Sequence, residues 1–200
     1  MPLRGRIEEI FTEVADLKAR FLAEQGEQLV AAARMLAQVL RAGGRVFIFG
    51  NGGSAADAQH LAAEFINRFE IERPPLAAVA LTTDTSVLTS IANDYDFDQV
   101  FAKQLRGLGR AGDLAWGIST SGTSPNVVRA FKTARELGLK TLALCGRDGG
   151  ALAGLADIAL VVPSLSTPRI QEVHLAIGHV LCELVDRLLF PEKFGDKGGG

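Results

Sequence analysis

His60 and Glu64 stand four residues apart in the segment FIFGNGGSAADAQHLAAE, residues 47–64. Positions i and i+4 lie one turn apart on one helix face, so the imidazole and the carboxylate can share a proton, a metal ion or a sugar hydroxyl. The segment opens with an apolar strand and the loop Gly50-Asn51-Gly52-Gly53. A strand that ends in glycines ahead of a helix gathers free backbone N–H groups and the positive helix end at one point, which suits a phosphate. On a helical wheel from Ser54, the residues Ala58, Leu61, Ala62, Phe65 and Phe69 form the buried side. Asp57, His60 and Glu64 then fall on the opposite face. An ordinary solvated face is the plain alternative; their position in the first turns after an anion loop favours a site.

A second loop, Ser119-Thr120-Ser121-Gly122-Thr123-Ser124, follows the apolar run LAWGI and precedes Pro125-Asn126. Proline is favoured at a helix start, where its missing N–H would be unpaired anyway. Serine and threonine also cap helices, but five hydroxyls in six residues exceed what a cap requires. A neutral cradle with no P-loop lysine suits a sugar phosphate better than a triphosphate. Gly50, Gly52, Ala55 and Asp84 also satisfy a loose dinucleotide fingerprint. The outward-facing Asp57, His60 and Glu64, and the serine-rich second loop, have no place in that pattern.

The last helical stretch separates the two remaining histidines. Its apolar stripe is Ile170, Val173, Ile177, Leu181, Leu184 and Leu188. His174 falls at the edge of that stripe and reads as a core histidine. His179 points to the other side, with Gln171 about 80° around and about 12 Å along the axis. Leu175 and Cys182 flank His179, and a helix apolar on two sides is usually wedged between layers or subunits. Asn93-Asp94 reads either as a helix end or as a donor–acceptor pair for sugar hydroxyls.

These groups must be positioned by alternating elements. Two helical stripes, 5–23 and 26–41, precede strand candidates Val46–Phe49, Ala77–Leu81, Leu114–Ile118, Thr141–Cys145 and Ile158–Val162. Helical stretches are expected at 54–69, roughly 86–107, 126–137 and 149–155, and a final helix from about Pro168 to Leu189. Apolar strands alternating with helices give a parallel sheet covered on both faces, an α/β fold. In such sheets the loops that carry sites meet at the carboxyl ends of the strands. With 48% apolar residues among 200, one domain is expected. It divides into N-terminal helices (1–43), sheet and crossover helices (44–165), a C-terminal helix (168–190) and a disordered tail (192–200). The N-terminal helices serve either as core cover or as an oligomer interface. A net charge of −2 without a basic block argues against nucleic acid or an anionic membrane. No apolar run of 18 residues and no apolar leader is present, and two cysteines make no disulfide framework or metal cluster, so a soluble cytoplasmic protein is expected.

Taken together, GNGGSAADAQHLAAE (50–64), TTDTSVLTSIANDY (82–95), ISTSGTSPNV (118–127) and RIQEVH followed by His179 resemble the sugar isomerase (SIS) domain, and within it the phosphoheptose isomerase family. The likeness runs from about Ile7 to Phe190. It implies a doubly wound, five-stranded parallel sheet in flavodoxin-like order, a homotetramer with sites at subunit interfaces, and one zinc ion per subunit. The implied reaction converts D-sedoheptulose 7-phosphate to D-glycero-D-manno-heptose 7-phosphate, the entry to ADP-heptose and the lipopolysaccharide core. By the same likeness, Ser119, Thr120, Ser121 and Ser124 hold the phosphate, while Asn51, Gly52, Gly53, Ser54, Asn93, Asp94 and Gln171 line the sugar. His60, Glu64, Gln171 and His179 surround the metal, and Glu64 and His179 form the acid–base pair. INRFEIERP (66–74) and LCELVDRLLFP (181–191) also resemble a tetrameric SIS adaptor that binds the replication initiator DnaA. An adaptor has no need of Glu64, His179 or the SGTSPN segment. Leu165-Ser166 departs from the more polar approach to RIQE in isomerases of the family.

Overall fold

The computed structural model describes residues 3–195. Five strands form one all-parallel sheet in the order β2-β1-β3-β4-β5. They are β1 (Val46–Gly50), β2 (Ala78–Ala80), β3 (Leu114–Ser119), β4 (Lys140–Gly146) and β5 (Ile158–Val162). Every residue of β1 and β3 is buried, as strands covered on both faces require. Successive side chains alternate between two cores. Val46, Ile48, Trp116, Leu142, Leu144 and Leu160 face α1 (Leu3–Arg41), α2 (Gly53–Ile66) and α7 (Thr167–Leu189). Phe47, Phe49, Ala115, Ala143 and Cys145 face α4 (Val100–Leu108), α5 (Pro125–Glu136) and α6 (Gly150–Ala153). Strand order reverses between β1 and β3, and that switch point opens the crevice in which ligands of such sheets bind.

The two expected N-terminal helices are joined as α1, with non-helical dihedrals at Gln25 (φ −133°, ψ 16°). Gln25 explains the join. Its amide accepts from Val161 N–H at 2.8 Å and donates to Val161 C=O, standing in for a neighbouring strand on the edge strand β5. The single helix expected at 86–107 is broken into α3 (Thr85–Asp94), a 3₁₀ turn (Phe97–Gln99) and α4. The break follows the polar run Asn93-Asp94-Tyr95-Asp96, where Asp96 is extended (φ −157°, ψ 158°) and its carboxylate takes Gln99 Nε2 at 2.8 Å. Asp84, the acidic residue of the dinucleotide pattern, caps α3 by accepting from Val87 N–H at 2.9 Å.

The helix α2 ends at Ile66, so Phe69 lies beyond it. Of the tail expected to be disordered, Pro191–Lys193 form a 3₁₀ turn and Arg187 stacks 4.4 Å over the Phe194 ring. Residues 196–200 lie outside the described residues. Among those described, no helix is long and apolar enough to cross a membrane.

Candidate active site

The loop after β1 and the loop after β3 are tied together by a reciprocal amide pair. Asn51 Nδ2 donates to Asn126 Oδ1 at 2.9 Å, and Asn126 Nδ2 donates to Asn51 Oδ1 at 2.8 Å. Asn126 is buried and also accepts from Val127 N–H, so it belongs to the site although the sequence placed it only at a helix start. Ser119 and Ser124 share a hydrogen bond at 2.8 Å, and Ser119 Oγ lies 3.4 Å from Ser121 Oγ. Ser121 Oγ in turn accepts from Thr123 N–H and Oγ1. Thr120 is half-buried beside them. The hydroxyls of Ser119, Ser121, Thr123 and Ser124 thus hold one another in place. Gly122, at φ 66°, sits so close to Gly149 that a Cβ there would overlap the Gly149 carbonyl.

The helices α2 and α7 lie side by side. Leu61 covers Gly178, where an added Cβ would fall 2.6 Å from the leucine side chain. That close approach brings the two rings together: His60 Nε2 lies 2.8 Å from His179 Nε2. One ring therefore donates and the other accepts. Glu64 Oε1 stands 3.7 Å from His60 Nε2. The Phe69 ring backs His179 at 5.5 Å between centroids. Asp57, one turn before His60, joins this group, with its Oδ2 buried and without a hydrogen-bond partner. Burial pushes its carboxyl above the usual range, against the pull of the His60 and His179 imidazoles. The sequence placed Asp57 on the face shared by His60 and Glu64; its i−3 spacing from His60 was the signal that it belongs with them.

No hydrogen bond joins Gln171 to that pair among the described residues. Its amide packs on Gly53 at the start of α2, where a Cβ would meet Gln171 Nε2 at 2.5 Å. It is about 12 Å along α7 from His179. Gln171 and Gly53 thus share one end of the crevice with Gly52, the N-cap of α2 at φ 57°, and with buried Ser54. Asn93 and Asp94 lie exposed at the end of α3, bonded to each other at 2.9 Å. His174 is a core residue: Nε2 reaches Cys145 C=O at 2.9 Å, and the ring is fully buried.

The donor set His60, Glu64 and His179 has the chemistry of an open zinc site of the two-histidine, one-carboxylate kind. The two Nε2 atoms, 2.8 Å apart, would have to separate by about half an ångström to reach the spacing of about 3.3 Å that two ligands take around tetrahedral zinc. Among the described residues, no three His, Cys, Asp or Glu side chains are closed around one point; the imidazoles are closed on each other and Glu64 stands back. The residue types suit the ion; their side chains are not arranged around it.

The family described as SIS domain matches residues 9–146. A relative named phosphoheptose isomerase, from Solidesulfovibrio magneticus, is 58% identical over 178 residues, 89% of this chain and 87% of its own. One from Aquifex aeolicus is 50% identical over 184 residues, 92% of this chain and 96% of its own. The solved structure of phosphoheptose isomerase GmhA from Neisseria gonorrhoeae superposes with a TM-score of 0.87 at 48% identity, covering 92% of this chain and 98% of that one. A phosphoheptose isomerase from Francisella tularensis gives 0.90 at 39% identity, covering 94% and 100%. With an SIS-domain match over residues 9–146, relatives at 50–58% identity over most of its length and the same fold, this chain belongs to the phosphoheptose isomerase family of SIS-domain proteins.

Proposed function

We propose that this protein interconverts D-sedoheptulose 7-phosphate and D-glycero-D-manno-heptose 7-phosphate as a cytoplasmic homotetramer with zinc at its site. The observation that carries the reading is the meeting of His60, His179 and Glu64 on two helices, one of which starts at the loop whose Asn51 pairs with Asn126, just past the Ser119–Ser124 hydroxyls. Relatives at 50–58% identity that carry the phosphoheptose isomerase name support the substrate. No observation favours the adaptor alternative. Two free, buried cysteines fit a reducing compartment. The product places the protein at the entry to ADP-heptose and the lipopolysaccharide core.

An aldose–ketose interconversion moves a proton between C1 and C2 through a cis-enediol. It needs a base at carbon, an acid at oxygen and a stabiliser for the developing negative oxygen. Glu64 takes the carbon-bound proton and returns it to the neighbouring carbon. His179 supplies and recovers the proton on the oxygen. Ser119, Thr120, Ser121 and Ser124 anchor the phosphate; Asn51, Gly52, Gly53, Ser54, Asn93, Asp94 and Gln171 hold the sugar hydroxyls. His60, Glu64, Gln171 and His179 would hold zinc, which would supply Lewis acidity to stabilise the developing negative oxygen.

Purified protein incubated with sedoheptulose 7-phosphate, with and without zinc, is expected to yield the aldose. Glu64→Gln is expected to lower kcat by about 10²–10⁴-fold while the assembly stays intact, as loss of a general base does. Wild-type-like turnover in Glu64→Gln would remove Glu64 from the base role.

A further inference from the structure

The strands β4 and β5 lie on the far side of β3 from β1, and so on the far side of the hydroxyl loop from Asn51–Gly53. A cavity of about 560 Å³ opens there. Ser121 and Thr123 of the loop form one wall, Arg147 and Asp148 after β4 another, and Ser164 and Leu165 after β5 a third. Arg147 has φ 60°, the one non-glycine residue with positive φ among the described residues. A long side chain in that conformation is uncommon. Such strain persists where the surroundings over-determine it, and it clusters at ligand sites. Here the Arg147 N–H donates to Ser164 C=O at 3.2 Å, which fastens the β4 loop to the β5 loop.

The Arg147 guanidinium is uncommitted. No ion pair engages it among the described residues. The neighbouring Asp148 turns one carboxylate oxygen to Gly150 N–H at 3.1 Å. The hydroxyl loop itself carries no charged side chain, yet a phosphate monoester brings a charge of about −1.5 to −2 at neutral pH. Hydroxyls and backbone N–H groups can orient that dianion. A guanidinium adds charge-assisted, forked hydrogen bonds about twice as strong as neutral ones.

We propose that Arg147 is the cation of the phosphate site, closing from the β4–β5 side over Ser121 and Thr123 onto the phosphate of a sugar phosphate. The proposal rests on the reading of this crevice as a sugar-phosphate site. It accounts for a bulky residue held at positive φ where a glycine or asparagine would sit without strain.

Steady-state kinetics and calorimetric titration with inorganic phosphate, both on the full chain, test it. Arg147→Gln is expected to raise KM for sedoheptulose 7-phosphate by about 10–100-fold with far less effect on kcat, and to weaken phosphate binding in parallel, as loss of a charged hydrogen bond does. Arg147→Lys is expected to recover part of both. Arg147→Gly is expected to keep or raise Tm, because the strain goes, yet to lose phosphate affinity as fully as the glutamine variant. Unchanged KM and phosphate affinity in the glutamine and glycine variants would make Arg147 a turn residue only and overturn the proposal. If the wild type binds phosphate through Arg147 but isomerises no heptose, the functional reading fails and this one stands. If it isomerises heptose with an affinity indifferent to Arg147, this one fails alone.

Discussion

His174 shows how burial decides what a histidine does. Desolvation pushes its pKa down from 6.5 to about 4, against the hydrogen bond to the Cys145 carbonyl, which favours the charged ring. Its Nδ1 is buried without a partner, so a second proton has nowhere to go. The unfolded chain binds that proton first as pH falls. Stability is therefore fully present above about pH 6.5 and lost progressively towards pH 4, by about 3 kcal/mol in all. His174→Gln keeps an N–H donor for the carbonyl but cannot titrate. Urea unfolding across that pH range is expected to show a shallower acid loss in His174→Gln than in the wild type; equal slopes would mean that other groups govern acid unfolding. At this scale the sequence was legible where helical spacing decides: the core role of His174, and the shared face of Asp57, His60 and Glu64. It was silent where partners come from distant segments. Nothing local announces the Asn51–Asn126 amide pair or the positive φ of Arg147.

Between the helices that carry the histidine pair sits a buried strut. Arg73, in the segment after α2, places its guanidinium on Asp186 of α7 at 2.8 Å and on the Glu64 and Phe65 carbonyls at 2.8 Å each. Carbonyls of a last helical turn have no partner within the helix, so Arg73 caps α2 while gripping α7. Both side chains of the Arg73–Asp186 pair are almost wholly buried, and burial raises the Asp186 pKa against the pull of Arg73. Removing one partner strands a buried charge, so Arg73→Met is expected to lose about 3–5 kcal/mol. Adding Asp186→Leu is expected to recover most of that stability but not kcat, because the Glu64 carbonyl stays uncapped, while Phe65 C=O keeps only Leu76 N–H at 3.0 Å, and the spacing of Glu64 from His179 is no longer fixed. Denaturant unfolding and kcat measured on the same proteins separate the two effects; a double variant with wild-type kcat would reduce the strut to packing alone. Element type and order were readable from apolar periodicity, since all five strands and the long last helix lie where expected. Ends were harder. The break at Asn93–Asp96 and the stop of α2 before Phe69 depend on side chains that compete with the helix backbone and on an arginine seven residues past the helix end.

On the whole molecule, the first half of α1 stands out from the rest. From Leu3 to Asp16 no residue is buried, although Ile7, Ile10, Phe11 and Val14 form an apolar stripe. Phe11 is 73% exposed and Ile7 56%. The stripe lines a groove of about 540 Å³ against α7, with Arg169, Glu172 and Leu175 on the other wall. Arg169 spends one nitrogen on Glu172 at 3.1 Å and leaves Nη1 buried without an acceptor. A contiguous apolar face with an unsatisfied donor at its rim is what a subunit interface looks like before its partner arrives. The sequence left core cover and interface as equal readings of these helices; the structure assigns core cover to the half after Leu17 and leaves the first half free. Phe11→Glu places a charge at the centre of that face and touches no residue of the crevice. If the proposed tetramer forms through this face, sedimentation is expected to shift to smaller species, with the subunit's circular dichroism unchanged. If the site is completed where subunits meet, as the family resemblance implies, kcat/KM is expected to fall with the assembly and to recover at protein concentrations that restore it. A Phe11→Glu protein that sediments as the wild type does would remove this face from any interface.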